Sequence, residues 1–437
     1  MRESRLAKAI LKNSLYPWTL QWVNVLAFAV IVHQLLLGPA ESNNNLGSVL
    51  TWLLWWPALG VMFLLLGRVW CTVCPFALLS DVVRRNVGNQ LRVPRLLKRV
   101  GPWLIIALFV LLTWSEEFFG IAHSPLATAA LLLTLVTGVV AMGAFFERRA
   151  WCRYACPLGG MAGVYSRVGV VGLQGTPEAC MACDQVHCYK GGEAAEGCPM
   201  FEFPRIMDGS ANCTLCGHCV KNCPNDSLRV VVRMPSSELW AVSKPRLDES
   251  FLAALLAGLI AGLNLMEILH DPFGGLLGLR NTGLSFTLFF LFCLTTPMLL
   301  LAGAAKLASL TNADSVRDNA ARFGYALLPV VLAGHIGHTG REFLEKGWLI
   351  VHDAMVFATG EPRPRPASLA LVGEEVQLGF QVAIYAVGLS LSLYAAWRIA
   401  RQRPGPGNPV AIWLPYALLF VGFATLNVLL AFAGEGA

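Results

Sequence analysis

The sequence predicts an α-helical integral membrane protein with about nine transmembrane helices and one polar domain inserted among them. Hydrophobic residues make up 56% of the 437 residues and charged residues only 14%, against roughly 25% charged residues in an average soluble domain. Apolar runs of membrane-spanning length recur along the chain. One polar stretch interrupts them at 147–249, and it holds ten of the thirteen cysteines.

The predicted spans follow from the length of the apolar runs, since about 20 such residues cross roughly 30 Å of hydrocarbon. Runs of this length lie at about 17–38, 48–69, 102–122, 126–146, 250–269, 284–305, 323–340, 377–397 and 411–431. The first run has no small-residue cleavage site, so we expect a helix that stays rather than a signal peptide. Nine spans place the two ends of the chain on opposite sides of the membrane.

Lys and Arg in the short loops predict the orientation, because these residues are enriched on the cytoplasmic side. Seventeen of them lie at the N-terminus and in 68–100, 306–322 and 398–403, whereas the opposite loops hold five. We therefore expect the N-terminus and the polar insert in the cytoplasm and the C-terminus outside, in the lipid of a bacterial cytoplasmic (inner) membrane. The net charge of +6 follows from this topology, and we expect no binding to nucleic acid.

A repeated motif predicts the domain organisation. Arg68-Val-Trp-Cys71-Thr-Val-Cys74-Pro75 follows the second span, and Arg149-Ala-Trp-Cys152-Arg-Tyr-Ala-Cys156-Pro157 follows the fourth. Two copies favour a four-helix membrane module at 1–146 with both cysteine pairs at its cytoplasmic face. A cytoplasmic domain at 147–249 and a five-helix membrane module at 250–437 complete the expected chain.

The polar insert contains the strongest chemical signal, Cys213-Thr-Leu-Cys216-Gly-His-Cys219-Val-Lys-Asn-Cys223-Pro224. This spacing is typical of bacterial ferredoxins with two [4Fe–4S] clusters, in which the fourth cysteine ligates the other cluster. The partner run lies upstream, Cys180-Met-Ala-Cys183-Asp-Gln-Val-His-Cys188, followed by Cys198-Pro199. The rule assigns one cluster to Cys180, Cys183, Cys188 and Cys223 and the second to Cys213, Cys216, Cys219 and Cys198. Zinc, the alternative, usually takes two separated cysteine pairs.

The two membrane-proximal pairs, Cys71/Cys74 and Cys152/Cys156, leave more than one interpretation open. If the repeat folds as a bundle, the four thiols converge at one depth, where they would hold a third cluster or form thiol/disulfide couples. Packing beneath the insert is the alternative, because free cysteine is often merely buried. The lone Cys293, in the middle of a span, is expected to serve packing alone.

These motifs together resemble the membrane polyferredoxin family of the NapH and NosR type, over residues 1 to about 235. The resemblance implies four spans, two C-x3-C-P motifs at the cytoplasmic face, a two-cluster ferredoxin domain and oxidation of quinol. Cys152-x3-Cys156-Pro157 fits this pattern, whereas Cys71-x2-Cys74-Pro75 is one residue shorter. The five later spans lie outside the resemblance.

Histidine is concentrated in or beside the spans, toward the predicted outer side, at His33, His123, His270, His335, His338 and His352. A polar side chain at membrane depth is a functional-site hypothesis by default. His335 and His338 share a helix face, and His33 lies at a similar depth on the first span. Haem b with two histidine ligands fits, as do a quinol site, a copper site, and histidines that only hydrogen-bond between helices.

Clusters inside and histidines outside indicate electron transfer across the bilayer, between a membrane quinol or haem and the cytoplasmic clusters, for a partner reductase. The implied enzyme class is an oxidoreductase subunit of the quinol-dehydrogenase type. The alternative class is an iron–sulfur assembly or maturation protein, or a redox sensor, through which no respiratory electron flux passes.

Overall fold

A computed structural model describes residues 2–276, 278, 282–361, 363–366, 368–403 and 408–433. Its helices, in chain order, are α1 Arg5–Lys12, α2 Trp18–Leu37, α3 Leu46–Ser48, α4 Trp56–Leu66, α5 Trp70–Val73, α6 Pro75–Val87, α7 Arg95–Phe119, α8 Pro125–Phe145, α9 Ala150–Tyr154, α10 Pro157–Ser166, α11 Pro177–Met181, α12 His187–Lys190, α13 His218–Lys221, α14 Leu247–Leu276, α15 Thr282–Ser309, α16 Val316–Lys346, α17 Trp348–Thr359, α18 Glu374–Arg401 and α19 Pro409–Ala433. A π-helical segment, Val49–Trp55, joins α3 to α4, and 3-10 turns cover Ser42–Asn44 and Ile121–His123.

Within the described residues, nine helical stretches are long and apolar enough to cross a membrane. They are Trp18–Leu37, Leu46–Leu66, Arg95–Phe119, Pro125–Phe145, Leu247–Met266, Thr282–Ser309, Val316–Lys346, Glu374–Arg401 and Pro409–Ala433. They occupy the nine predicted segments, and the prediction of a mostly helical, multi-pass membrane protein is confirmed. The number of helices that actually cross the bilayer and their orientation stay predictions.

The chain forms two compact units. Unit 1 comprises Met1–Ser48, Val61–Leu112 and Ala122–Glu238, and unit 2 comprises Val49–Gly60, Thr113–Ile121 and Leu239–Ala437. All twelve cysteines with a predicted cofactor role lie in unit 1, together with His33. His335 and His338 lie in unit 2.

Unit 1 contains a small antiparallel sheet in the order β1-β3-β2, made of β1 Arg2–Glu3, β2 Val171–Gly175 and β3 Leu228–Val232. Val171 pairs with Val232, and Gly175 with Leu228. The start of the chain therefore adds a strand to the cysteine-rich domain. Sequence analysis did not predict this, because a two-residue strand has no periodic pattern.

Helix α1 continues this N-terminal contribution to the cysteine-rich domain. Ser4 caps it by accepting a hydrogen bond from the amide of Ala7. Its buried Leu11 joins a core with Leu173, Leu215, Cys219, Val220, Leu228 and Val230. The hydroxyl of Tyr16 donates to the carbonyl of Leu215 at 2.9 Å. Residues 2–16 thus close over the second cysteine run.

In unit 2, α16 is the most buried long helix and begins and ends outside the predicted span. Ser315 caps it by accepting from the amide of Asp318, which starts the helix about two turns before the apolar run. The unpredicted helix α17 has 12 residues, too few to cross the bilayer. Its Leu349 packs with Val49 and Leu53.

Candidate metal centres

The eight cysteines predicted to hold ferredoxin clusters line two cavities in unit 1. Cavity A is lined by Cys198, Cys213, Cys216 and Cys219, among apolar residues that include Leu11 and Leu173. Cavity B is lined by Cys180, Cys183, Cys188 and Cys223. These are the same two groups of four that the spacing rule predicts. Cys198 follows the upstream run but joins the cysteines of the downstream run, and Cys223 ends the downstream run but joins those of the upstream run. Cluster ligation by these residues stays a prediction.

The loop around cavity A depends on a glycine at its tightest point. Gly217 adopts φ +79°, a left-handed conformation that side chains rarely tolerate. A Cβ at this position would also collide with the carbonyl oxygen of Leu11 on α1. The turn lets Cys213, Cys216 and Cys219 face one cavity, and it lets α1 pack directly against the loop.

A serine joins the two chain segments that form cavity B. The Ser227 hydroxyl lies 3.5 Å from the sulfur of Cys180 and 3.3 Å from that of Cys223. The Ser227 amide also donates to the Cys223 sulfur at 3.3 Å. Hydrogen bonds to sulfur hold these side chains in place, and in iron–sulfur proteins they tune the reduction potential.

Burial controls the protonation of these thiols. It raises the pKa of Cys198 to about 11 and raises the pKa values of Cys216, Cys219 and Cys188. A buried thiolate is unfavourable unless a positive centre replaces its proton, as metal coordination does. Within the described residues, no three His, Cys, Asp or Glu side chains lie close enough together to hold a single metal ion. Each group of four thiols instead lines a cavity.

The four membrane-proximal cysteines also come together, and we call Cys71, Cys74, Cys152 and Cys156 the four-cysteine site. Burial raises the pKa of Cys156, and the charges of Cys152, Cys71 and Cys74 raise it further. Burial raises the pKa of Cys74 to about 12 and that of Cys152 to about 11. The four residues are half-buried by surface area, and desolvation is the largest cause of the raised pKa values of Cys74, Cys152 and Cys156.

The local structure at the four-cysteine site follows the repeat. In each copy a short helix, α5 or α9, is followed by a Cys-Pro pair that begins a longer helix, α6 or α10. Cys156 is the N-cap of α10, and its sulfur accepts a hydrogen bond from the amide of Gly159 at 3.3 Å. Cys74 stands at the same position before α6, whose first residue is Pro75.

Two arginines, one from each copy of the repeat, reach across to the other copy. Arg149 donates to the carbonyl of Cys71 at 3.2 Å, and Arg68 donates to the carbonyl of Cys152 at 3.5 Å. Arg68 also donates to the Cys71 sulfur at 3.3 Å. Both are buried, with exposed fractions of 4% for Arg68 and 2% for Arg149. Sequence analysis noted these arginines only as part of the motif. Their shared place three residues before the first cysteine was the available signal.

Hydrogen bonds connect the four-cysteine site to the loop that forms cavity A. Arg68 donates to the carbonyl of Ala211 at 2.6 Å, and the Thr72 hydroxyl donates to the carbonyl of Thr214 at 2.6 Å. The charge of Arg149 acts on Cys216 as well as on Cys152. The four-cysteine site and cavity A are therefore neighbours within unit 1.

The predicted histidine ligands have different environments. His33 is exposed on α2. His335 is buried in unit 2, with its ring centroid 5.3 Å from that of Trp56. His338 is half-buried, and its Nδ1 lies 3.0 Å from the Asn264 side-chain oxygen. Pairing of His33 with His335 or His338 stays a prediction.

The other histidines of the apolar segments have different places again. His352 Nδ1 lies 2.8 Å from an Asp353 carboxylate oxygen, and its Nε2 lies 3.1 Å from the carbonyl of Arg363. His123 is exposed in a 3-10 turn. The side chain of His270 lies outside the described residues.

Comparison with known proteins bears on the four-cysteine site. A family described as "4Fe-4S binding domain" matches residues 48–98 and 128–174. The first matched segment contains Cys71 and Cys74, and the second contains Cys152 and Cys156. The chain is 25% identical over 240 residues to the putative electron transport protein YccM of Escherichia coli K12, covering 49% of this chain and 62% of that protein.

Two further relatives are ferredoxin-type proteins. NapH of Escherichia coli K12 is 25% identical over 193 residues, covering 40% of this chain and 66% of NapH. The resemblance to membrane ferredoxin-type electron-transport proteins is thereby confirmed, at modest identity. MauN, the methylamine utilization ferredoxin-type protein of Paracoccus denitrificans, is 27% identical over 162 residues, covering 32% of this chain and 57% of MauN. The chain spans less than two thirds of each relative's length. No solved structure gives a significant match.

Proposed function

We propose that this chain is a membrane electron-transfer subunit that binds two [4Fe–4S] clusters in cavities A and B. In this proposal it passes electrons between quinol or haem in the membrane and a redox partner protein in the cytoplasm. The observation that carries the proposal is the crossed grouping of the eight cysteines around two cavities. Bound clusters would carry out one-electron transfer. The residues of the chain would hold the clusters and exclude water from them.

The protein's part is to exclude water and fix the sulfurs. The apolar side chains of Leu11, Leu173 and Leu215 line cavity A, so a cluster there would be shielded from solvent. Backbone amides of Leu215 and His218 donate to the sulfurs of Cys213 and Cys216. Shielding and N–H···S bonds are two of the features that set cluster potentials.

Cavity B is the better candidate for contact with a soluble partner. The chain between Cys183 and Cys188 is exposed at Asp184, Gln185 and His187, and Met181 just before it is 67% exposed. A cluster in cavity B would lie close to this surface. Cavity A, next to the four-cysteine site, would then be the end closer to the membrane donor.

In this proposal the histidines of unit 2 bind the electron donor in the membrane, haem or quinol. Asn264 orients His338 through Nδ1, and a partner on one ring nitrogen is also how proteins orient a histidine that binds a metal with the other. Haem and quinol both fit such a residue. A reduced-haem absorption band in the purified protein would select haem. Without that band, loss of quinol-driven cluster reduction in His338→Ala would select quinol.

The decisive experiment is a matched pair of cysteine substitutions in anaerobically purified protein. Wild type should contain about eight irons in the two ferredoxin clusters. Cys198→Ser should remove the signal of the cluster in cavity A, whereas Cys183→Ser should remove that of cavity B. Cys293→Ser, far from both cavities in sequence and on α15, serves as the control and should change neither.

Two results would count against the proposal. Stoichiometric zinc in place of iron would overturn the cluster assignment. Fully loaded clusters that neither quinol nor a reduced haem can reduce would favour the alternative class, an assembly or redox-sensing protein without respiratory flux.

A further inference from the structure

The four-cysteine site contains a buried positive charge, the guanidinium of Arg68. Arg68 donates to the sulfur of Cys71 at 3.3 Å and to the carbonyl of Cys152 at 3.5 Å. Arg149, by contrast, forms an ion pair with Asp81 at 3.0 Å. A buried guanidinium is costly unless an opposite charge compensates it. At Arg68 the contacting group that could carry such a charge is the sulfur of Cys71.

We propose that Cys71, Cys74, Cys152 and Cys156 ligate a third iron–sulfur cluster, with Arg68 as the buried counter-charge to its thiolates. This inference deepens the proposed function and rests on it only for the role of the third cluster, not for its existence. Four thiolates bonded to iron keep a net negative charge near the guanidinium. Thiols or two disulfides are neutral and would leave the buried Arg68 charge with neutral hydrogen-bond partners only, the carbonyls of Ala211 and Cys152 among them.

The backbone of the site supports the same chemistry. Gly159 leaves room for Arg68 to approach closely. A Cβ at this position would lie 3.2 Å from the Arg68 Nη2 and 3.0 Å from the carbonyl oxygen of Cys152. The first turn of α10 directs an amide at the Cys156 sulfur. Amides and the positive end of the helix dipole favour an anionic sulfur at such a position.

The position of the site gives the third cluster a clear place in the chain of centres. Two hydrogen bonds, from Arg68 to Ala211 and from Thr72 to Thr214, attach it to the loop of cavity A. Gln21, near the start of α2, donates to the carbonyl of Thr72 at 2.7 Å. The third cluster would therefore lie between the ends of the apolar helices and the cluster in cavity A.

Iron counting tests the proposal directly. Anaerobically purified wild type should contain about twelve irons per chain rather than about eight. The double variant Cys74→Ser/Cys156→Ser should lose about one third of the iron while the paramagnetic signals of the two ferredoxin clusters persist. Cys293→Ser should keep the wild-type iron content. About eight irons in wild type, with the four cysteines recovered as disulfides or with zinc, would overturn the proposal.

A second variant keeps the test valid if the double variant fails to fold. Arg68→Gln removes the positive charge and retains hydrogen-bonding capacity, so it should lower the midpoint potential of one cluster and leave its cysteines in place. Arg229→Gln, an exposed arginine on β3 of the same unit, is the matched control. Equal potentials in wild type and Arg68→Gln would contradict the counter-charge role.

The outcomes also separate this inference from the proposed function. About eight irons with efficient quinol-driven or haem-driven reduction would remove the third cluster and leave electron transfer intact. About twelve irons without such reduction would keep the third cluster and remove the electron-transfer proposal.

Discussion

The two units bury polar groups in different ways. In unit 1 the buried polar groups include charged arginines that face sulfur, such as Arg68 beside Cys71. In unit 2 they include the neutral Asn427, which accepts from the half-buried Asn264 at 2.8 Å, and Asn264 in turn lies 3.0 Å from the half-buried His338. Unit 2 therefore provides protein partners for these interior groups, whereas unit 1 has buried charge and buried thiols that fit a bound cofactor.

This difference indicates where stability comes from in each unit. A site whose ligands must be deprotonated in a buried place gains its stability when the metal binds. A hydrogen-bonded network among helices contributes without any ligand. Unit 1 is expected to depend on the clusters proposed for it, and unit 2 is expected to keep its helices without them.

The largest expected effect is therefore that of cluster removal. Chelation of iron under oxidising conditions should expose the amides of α1, α9, α10 and α13 to hydrogen exchange, because the thiols that hold these segments lose their common partner. The amides of α14, α16 and α18 should stay protected. Hydrogen exchange with mass spectrometry on the detergent-solubilised protein measures both units at once. Equal loss of protection in the two units would refute the comparison.

Features that depend on short stretches of sequence could be predicted, whereas features that depend on distant contacts could not. The grouping of the eight cysteines and the nine apolar helices follow from spacing and length, which are properties of short windows. The closure of α1 over cavity A does not. Tyr16 and Leu215, whose hydrogen bond ties the start of the chain to the second cysteine run, lie 199 residues apart. No local pattern marks such a pair.

The sequence also could not show the role of Arg68 and Arg149, the arginines of the repeat, and the reason is physical. A basic residue after a span is ordinarily a topology signal, and Arg68 and Arg149 satisfy that rule equally well as solvated flanks. Their burial, and their crossing to the opposite copy of the repeat, depend on how the two copies pack. Helix α17 was missed because its 12 residues are fewer than a span requires.

The next largest effect should follow from breaking the buried ion pair of unit 1. Arg149→Ala leaves Asp81 without its partner and should destabilise the protein by about 3–5 kcal/mol, as removal of one member of a buried pair does. The free energy of unfolding in a mild denaturant measures it. Arg229→Ala, whose side chain is 56% exposed, is the control and should stay close to wild type. Equal stabilities would show that Arg149 is not buried as described.

A smaller effect is expected in the neutral network of unit 2. Asn264→Ala removes a partner of His338 and the donor to the buried side-chain oxygen of Asn427. It should cost about 1–3 kcal/mol, the penalty for leaving a buried polar group unsatisfied. Asn264→Asp is a useful second variant, because it keeps an acceptor for His338 and loses the donor to Asn427. The iron content should be unchanged in both. Loss of iron–sulfur signal in either variant would show that the interior of unit 2 supports the clusters after all.

The smallest effect should come from the exposed charges that fasten α1 to the second cysteine run. Asp226 lies 3.2 Å from the ammonium of Lys8 and 2.7 Å from that of Lys12, and hydrogen bonds from Lys12 and Lys8 lower the pKa of its carboxyl. Since the pKa is depressed on folding, this contribution is fully present above about pH 4 and is lost as the pH falls through the lower folded value. Exposed pairs are weak and screened by salt. Asp226→Asn should therefore raise hydrogen exchange in α1 slightly at low salt and not at all at high salt, with iron content unchanged. A salt-independent or large change would mean that Asp226 does more than attract two lysines.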